Sequence, residues 1–235
     1  MLLTKIAGLW KKVVALPVNA GGTVKPVQTG WTKVNGTWSI FFQAFKALRF
    51  AGTAVVGSGN KYRYELISTV NVTIAQNDVL VFEMYPQGPE CATGIDGLCF
   101  NPDGSEYANL RDWGFSTADY RPQLQNTPQI VDQNGRGIHA NGTGVAAIPL
   151  NKWCYRRFNL SVAAGKTIKQ WAAVLEGDTS GDYVTLYRYI RVEDANGNVK
   201  ATIFDSSLGV PAVTVYNGTS NLYTSISKGV VTAPL

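Results

Sequence analysis

The stretch Thr69-Val70-Asn71-Val72-Thr73-Ile74, followed by Asp78-Val79-Leu80-Val81-Phe82-Glu83-Met84-Tyr85, decides the fold. The first segment alternates apolar and polar residues, the period-two pattern of a strand with one buried face. The second is an almost continuous apolar run of strand length, which reads as a buried strand. Working outward, Tyr62–Leu66 alternates ahead of this stretch. Strand signals return at Gly144–Ile148, Trp153–Leu160, Ile168–Leu175, Asp182–Val192, Val199–Phe204, Ala212–Tyr216 and Leu222–Ile226. Asn196-Gly197 between two of these runs is a hairpin turn signal, because both residues tolerate positive φ. The segment Pro86–Gln129 is rich in Gly, Pro, Asp and Asn and reads as a long loop containing Trp113. No amphipathic helix pattern appears in this half. Many short strands with Gly and Asn turns predict an all-β, two-sheet jelly-roll sandwich.

Composition agrees with that reading. Charged residues make up 16% of the 235-residue chain, against about 25% in an ordinary globular domain. With 11% aromatics and 24 Gly, neither a disordered segment nor a long helical rod is expected. Three Cys in a chain this long exclude a disulfide scaffold. Cys91 and Cys99 are close enough in sequence for a disulfide, or are small neutral residues of one loop; Cys154 lies in an apolar run. No basic region followed by a long apolar run opens the sequence. Neither a secretion signal nor membrane insertion is expected.

Charge is concentrated at the start. Lys5, Lys11, Lys12, Lys25, Lys33, Lys46 and Arg49 precede the first acid, Glu65. This asymmetry predicts two functional parts. A basic segment suits nucleic acid, but no helix-turn-helix, zinc spacing or ribonucleoprotein signature accompanies it, so nucleic-acid binding is not expected. The lysines are interleaved with Trp and Val in a weak internal echo. Ala7-Gly8-Leu9-Trp10-Lys11-Lys12-Val13, Gly21-Gly22-Thr23-Val24-Lys25-Pro26-Val27 and Lys33-Val34-Asn35-Gly36-Thr37-Trp38 each place a Gly turn beside an apolar residue. Short hairpins follow from that pattern, too small to stand without a partner surface.

These repeats resemble those of structural proteins of tailed bacteriophages over residues 5–42. The resemblance implies that residues 1–45 dock onto a virion or a neighbouring chain, with Trp10, Lys11, Lys12, Trp31, Lys33 and Trp38 as the docking residues. Residues 46–61 read as a linker, with Gly52, Gly57 and Gly59 giving flexibility. Residues 62–206 form the sandwich, and residues 207–235 supply strands that pack on the domain or on a neighbour.

A second resemblance covers residues 62–205. It is carried by Asn77–Glu83, Leu110-Arg111-Asp112, Val131-Asp132-Gln133-Asn134-Gly135, Trp153-Cys154-Tyr155-Arg156-Arg157, Ala163–Ile168, Gly181-Asp182-Tyr183 and Tyr187–Val192. Together they are similar to carbohydrate-binding-module-like jelly rolls of bacterial polysaccharide-processing proteins. That implies a sugar-facing or assembly role.

Side-chain chemistry narrows the choice. His139 is the single His, so no His cluster can hold zinc and any Ser–His–Asp triad would rest on it alone. Glu83, Glu90, Asp96, Asp103, Asp112, Asp132 and Glu176 are carboxylates of the type a glycosidase pairs. Asp96-Gly97 and Asp103-Gly104 are, however, ordinary turn dipeptides. The long loop has the oxygen types for a structural Ca²⁺, without EF-hand spacing; no other cofactor is expected. A sugar site needs an aromatic platform and planar polar groups, and Arg111, Trp113, Asp132, Gln133, Asn134 and His139 have those types. The bland alternative is that Trp113 anchors its loop and Asp132–Gly135 is a turn. Trp153, Trp171, Tyr187 and Tyr189 lie in strands, as core or sheet surface.

The expectation is a non-enzymatic virion protein: a tail, baseplate or fibre component, with a bacterial surface glycan and other virion proteins as partners. A homo-oligomer is expected, a trimer above a dimer. The alternatives are a capsid decoration protein and a stand-alone carbohydrate-binding module.

Overall fold

The computed structural model describes residues 2–6, 9–13, 17–20, 23–26, 29–34, 37–43, 45–55, 63–100, 106–110, 130–138, 148–177, 179–205, 215–218 and 223–233. The chain divides into two compact units, residues 1–46 with 232–235, and residues 47–231.

The first unit contains three antiparallel pairs. These are β1 (Leu2–Ile6) with β2 (Leu9–Val13), β3 (Pro17–Ala20) with β4 (Thr23–Pro26), and β5 (Thr29–Val34) with β6 (Thr37–Gln43). Among the described residues each pair is a separate two-stranded sheet.

The second unit is built from β7 (Phe45–Ala54), β8 (Arg63–Ser68), β9 (Val72–Thr73), β10 (Val79–Gln87), β11 (Thr93–Phe100), β12 (Glu106–Asn109), β13 (Cys154–Asn159), β14 (Thr167–Ile168), β15 (Gln170–Leu175), β16 (Gly181–Glu193), β17 (Val199–Phe204), β18 (Val215–Gly218) and β19 (Tyr223–Ala233). A six-stranded sheet runs β13-β10-β16-β7-β19, with β17 also on β16. A five-stranded sheet runs β12-β11-β15-β8-β18, and β14 pairs β9. One edge of β16 carries β10, while the other is shared, by β7 along Gly181–Tyr187 and by β17 along Ile190–Glu193.

Alternation sets the core. Leu80, Phe82 and Met84 of β10 and Phe158 of β13 point inward from one sheet, and Trp171, Ala173 and Leu175 of β15 from the other. Phe82 stacks on Phe158 with centroids 5.7 Å apart and meets Tyr187 edge-on at 5.9 Å. Both geometries suit the ring quadrupoles. Buried Trp171 satisfies its indole by donating to the Val70 carbonyl at 3.0 Å. The all-β, two-sheet expectation holds, with one apolar core between the sheets.

Asn196-Gly197 does turn a hairpin. Gly197 has φ +84°, and Asp194 accepts from the Asn196 and Asn198 backbone N–H groups at 2.8 and 2.9 Å.

Four local expectations differ from the fold. Residues 45–54, mostly assigned to a linker, form β7 inside the six-stranded sheet. Small residues there report close packing rather than flexibility: a Cβ on Gly52 would lie 2.9 Å from Leu175 Cδ2. The supposed loop after Pro86 contains β11 and β12. Asp96-Gly97 is no turn but a mid-strand pair opposite Ala172 and Trp171. Gly97 is needed because a Cβ would approach Ile168 Cγ2 to 3.0 Å, and Asp96 is occupied by the Tyr64 hydroxyl at 3.1 Å. Of Thr69–Ile74 only Val72 and Thr73 are strand, since their partner β14 is equally short. Residues 144–147 lie outside the described residues.

Candidate functional site

Among the described residues β13 is an edge strand of the six-stranded sheet, hydrogen-bonded to β10 on one side. Alternation turns Arg156 and Phe158 inward and leaves Tyr155, Arg157 and Asn159 exposed on the outer face. Glu83 of β10 lies opposite Tyr155. On its other side, Glu83 meets a β-bulge: Phe82 pairs Ile190 but Met84 pairs Tyr187, so Arg188 and Tyr189 share one position. A bulge re-aims side chains; here Arg188 is exposed and Tyr189 half-buried.

The result is an aromatic strip with charged flanks. Tyr85 and Trp153 pair with centroids 5.4 Å apart. Tyr155 is 43% exposed. The Arg191 guanidinium sits 4.8 Å above the Tyr189 ring and donates from Nε to Glu193 Oε1 at 2.7 Å. Arg188 reaches Glu83 at 3.3 Å. Partial burial raises the phenol pKa of both Tyr155 and Tyr189. Glu193 and Glu83 push the same way and Arg191 opposes them. Both hydroxyls therefore stay protonated in neutral solution, able to donate and to accept. Flat rings stand beside planar carboxylates and guanidiniums, all but Trp153 on strands, so the face offers aromatic surface for apolar contact and planar groups for hydrogen bonds.

Behind the strip, residues 131–137 form a tight turn closed by the Val131–Gly137 bridge. Asp132 is buried. Its Oδ1 accepts from the Asn134 and Arg136 backbone N–H groups, each at 2.9 Å, and its Oδ2 from Arg156 Nε at 3.0 Å. Gly135 supplies the positive φ, +74°, that closes the turn. Arg156 Nη2 donates to the Gly137 carbonyl at 2.7 Å, and the guanidinium lies 4.6 Å from the Phe158 ring centroid. Its Nη1 is buried with no hydrogen-bond partner among the described residues. Burial lowers the Arg156 pKa, and Asp132 opposes that shift. Gln133 completes the clasp. Its Nε2 donates to the Tyr155 carbonyl at 2.8 Å, and its Oε1 accepts from the Arg157 N–H at 2.9 Å. One carboxamide thus takes the place of a neighbouring strand along the edge that bears Tyr155.

Of the six residues expected to bind sugar, Asp132 and Gln133 are used by this clasp, and Asn134 is exposed at the turn. Arg111, Trp113 and His139 lie outside the described residues. Trp10, Lys11 and Lys12 fall in β2, Trp31 and Lys33 in β5, and Trp38 in β6; only their backbone is described. The Cys91–Cys99 disulfide is not formed: Cys91 is a free thiol. β11 carries Cys99 along an extended strand beyond Thr93, roughly 20 Å at ~3.3 Å per residue, well past disulfide reach.

Among the candidate acids, Glu90 accepts from the Thr179 N–H and the Tyr183 hydroxyl, and Asp96 from Tyr64. Asp103 and Asp112 lie outside the described residues. No group of three or more potential metal ligands occurs among the described residues. Tyr85, Trp153, Tyr155 and Tyr189 form a strip that sequence reasoning does not assemble. The signal is weak: outward-facing aromatics on strands whose neighbours only the register reveals. No known family and no curated protein matches the chain.

Proposed function

We propose that this chain is a non-enzymatic structural protein of a bacteriophage particle, a tail, baseplate or fibre component. In this reading its sandwich holds a saccharide of the host surface against Tyr85, Trp153, Tyr155 and Tyr189. The basic N-terminal unit docks the chain in the particle, where copies assemble as a homo-oligomer with a trimer favoured. The sandwich is read as a jelly roll. The order β7-β16-β10-β13 over β8-β15-β11-β12, with early and late strands side by side in both sheets, supports that.

The observation that carries the reading is the aromatic strip with its Arg188–Glu83 and Arg191–Glu193 pairs. A non-catalytic role is supported by the use of Glu90, Asp96 and Asp132 in internal hydrogen bonds. Two experiments test it. Purified bacterial surface polysaccharides arrayed against the full chain should retain it, and Tyr155→Ala should sharply reduce retention. Mass spectrometry of purified particles should find the chain. Sustained hydrolysis of any bound polysaccharide, or absence from every particle, would overturn the reading.

A further inference from the structure

The three hairpins are one repeat. The pair nearest each turn is Ile6↔Leu9, Ala20↔Thr23 and Val34↔Thr37, and the next is Lys5↔Trp10, Asn19↔Val24 and Lys33↔Trp38. Each step along the chain, from position 6 to 20 to 34, is 14 residues. The sequence places Gly8, Gly22 and Gly36 at one position of that period. The weak sequence echo is therefore a register-true repeat.

Each hairpin is its own two-stranded sheet among the described residues. A single hairpin is marginal in water, and each strand has one edge with no strand partner among the described residues. Something must complete those edges, and charge identifies it. Of the chain's 21 Lys and Arg, five fall in residues 1–44, which hold none of the 16 Asp and Glu. The rest of the chain then balances 16 basic against 16 acidic residues, so the whole net charge of +5 lies in the repeat. A second copy of the repeat is equally positive and repels it. Nucleic acid would neutralise the lysines but has no peptide groups to pair with a strand edge. An acidic polypeptide does both.

We propose that the hairpin repeat docks by strand pairing on an acidic protein surface, whose carboxylates balance the positive charge that Lys5, Lys11, Lys12, Lys25 and Lys33 give these strands. This rests on the docking half of the proposed function and names its partner chemistry. A period of 14 residues lets one extended acidic partner be engaged three times, which multiplies weak contacts.

Binding of the full chain to poly-L-glutamate, poly-D-glutamate and oligo-deoxythymidylate tests this. Poly-L-glutamate should bind more tightly than the other two, and more weakly as salt rises. Replacing the five lysines by Gln should weaken binding by about tenfold, replacement by Arg should restore it, and Gln at Lys152, Lys166 and Lys169 should change nothing. Equal binding of the two polyglutamates would remove the strand-pairing claim. Tighter binding of the oligonucleotide, or no effect of the five Gln, would overturn the proposal. Either result, with the chain still present in particles, would leave the broader reading standing.

Discussion

Arg156 Nε donates to Asp132 Oδ2 at 3.0 Å with both side chains almost wholly out of solvent. This buried pair ties the 131–137 turn to the strand that presents Tyr155. Removing one partner leaves a buried charge alone, which costs about 3–5 kcal/mol. Asp132→Ala should therefore lose about that much stability in urea unfolding, more than any single change on the strip. Arg156→Met combined with Asp132→Leu should recover much of the loss.

Gln133 makes two hydrogen bonds to the β13 backbone, at 2.8 and 2.9 Å, yet is exposed. At about 0.5–1.5 kcal/mol each, Gln133→Ala should cost on the order of 1–2 kcal/mol. Its clearer effect is local: hydrogen exchange at the Arg157 N–H should accelerate while the β10 amides stay protected. Glu at this position keeps the acceptor and loses the donor, and should fall between wild type and Ala.

Glu65 lies in the core at 0% exposure. Its Oε1 accepts from Arg63 Nε and Nη2 at 2.9 and 2.8 Å, and Lys228 of β19 approaches its Oε2 at 4.0 Å. Lys228 also donates to the Leu66 carbonyl. This cluster links β8 to β19 across the two sheets. Glu65→Leu leaves two enclosed cations and should cost about 3–5 kcal/mol; Lys228→Met should cost less, because Arg63 still balances the carboxylate. Equal losses in thermal unfolding would contradict this division.

Burial pushes the Cys91 thiol up to about 11, from 9.0. At pH 8 its thiolate population is then about a hundredfold below that of an ordinary cysteine. Iodoacetamide should label Cys91 slowly in the folded chain and rapidly in urea, read by peptide mass spectrometry. The native state holds its proton more tightly than the unfolded state. Stability should accordingly fall as pH rises from about 9 to 11, and Cys91→Ala should flatten that slope.

The fold is legible where apolar pattern and strand coincide. Val79–Tyr85 and Asp182–Val192 read as strands and are strands, because both sit mid-sheet and bury one or both faces. β11 is hidden because Gly94, Asp96 and Gly97 look like turn residues. Their reasons are tertiary: Gly97 yields space to Ile168 and Leu110, and Asp96 takes the Tyr64 hydroxyl. The site is less legible for a related reason. Asp132-Gln133 carries the polar types a sugar site needs, but those atoms are taken up by Arg156 and by the edge of β13. Tyr85, Tyr155 and Tyr189 become one surface only through the register of β13, β10 and β16 and the bulge opposite Glu83.

The most direct measurement is titration of the full chain with a polysaccharide that it retains, followed by Trp153→Ala and Tyr155→Ala. Tyr155 is exposed on β13 and Trp153 is half-buried just ahead of that strand, outside the core, so folding should be nearly unchanged by circular dichroism. Each substitution should weaken binding by about tenfold or more, as loss of a stacking aromatic does. Unaltered affinity in both folded variants would contradict the assignment of this face as the binding surface.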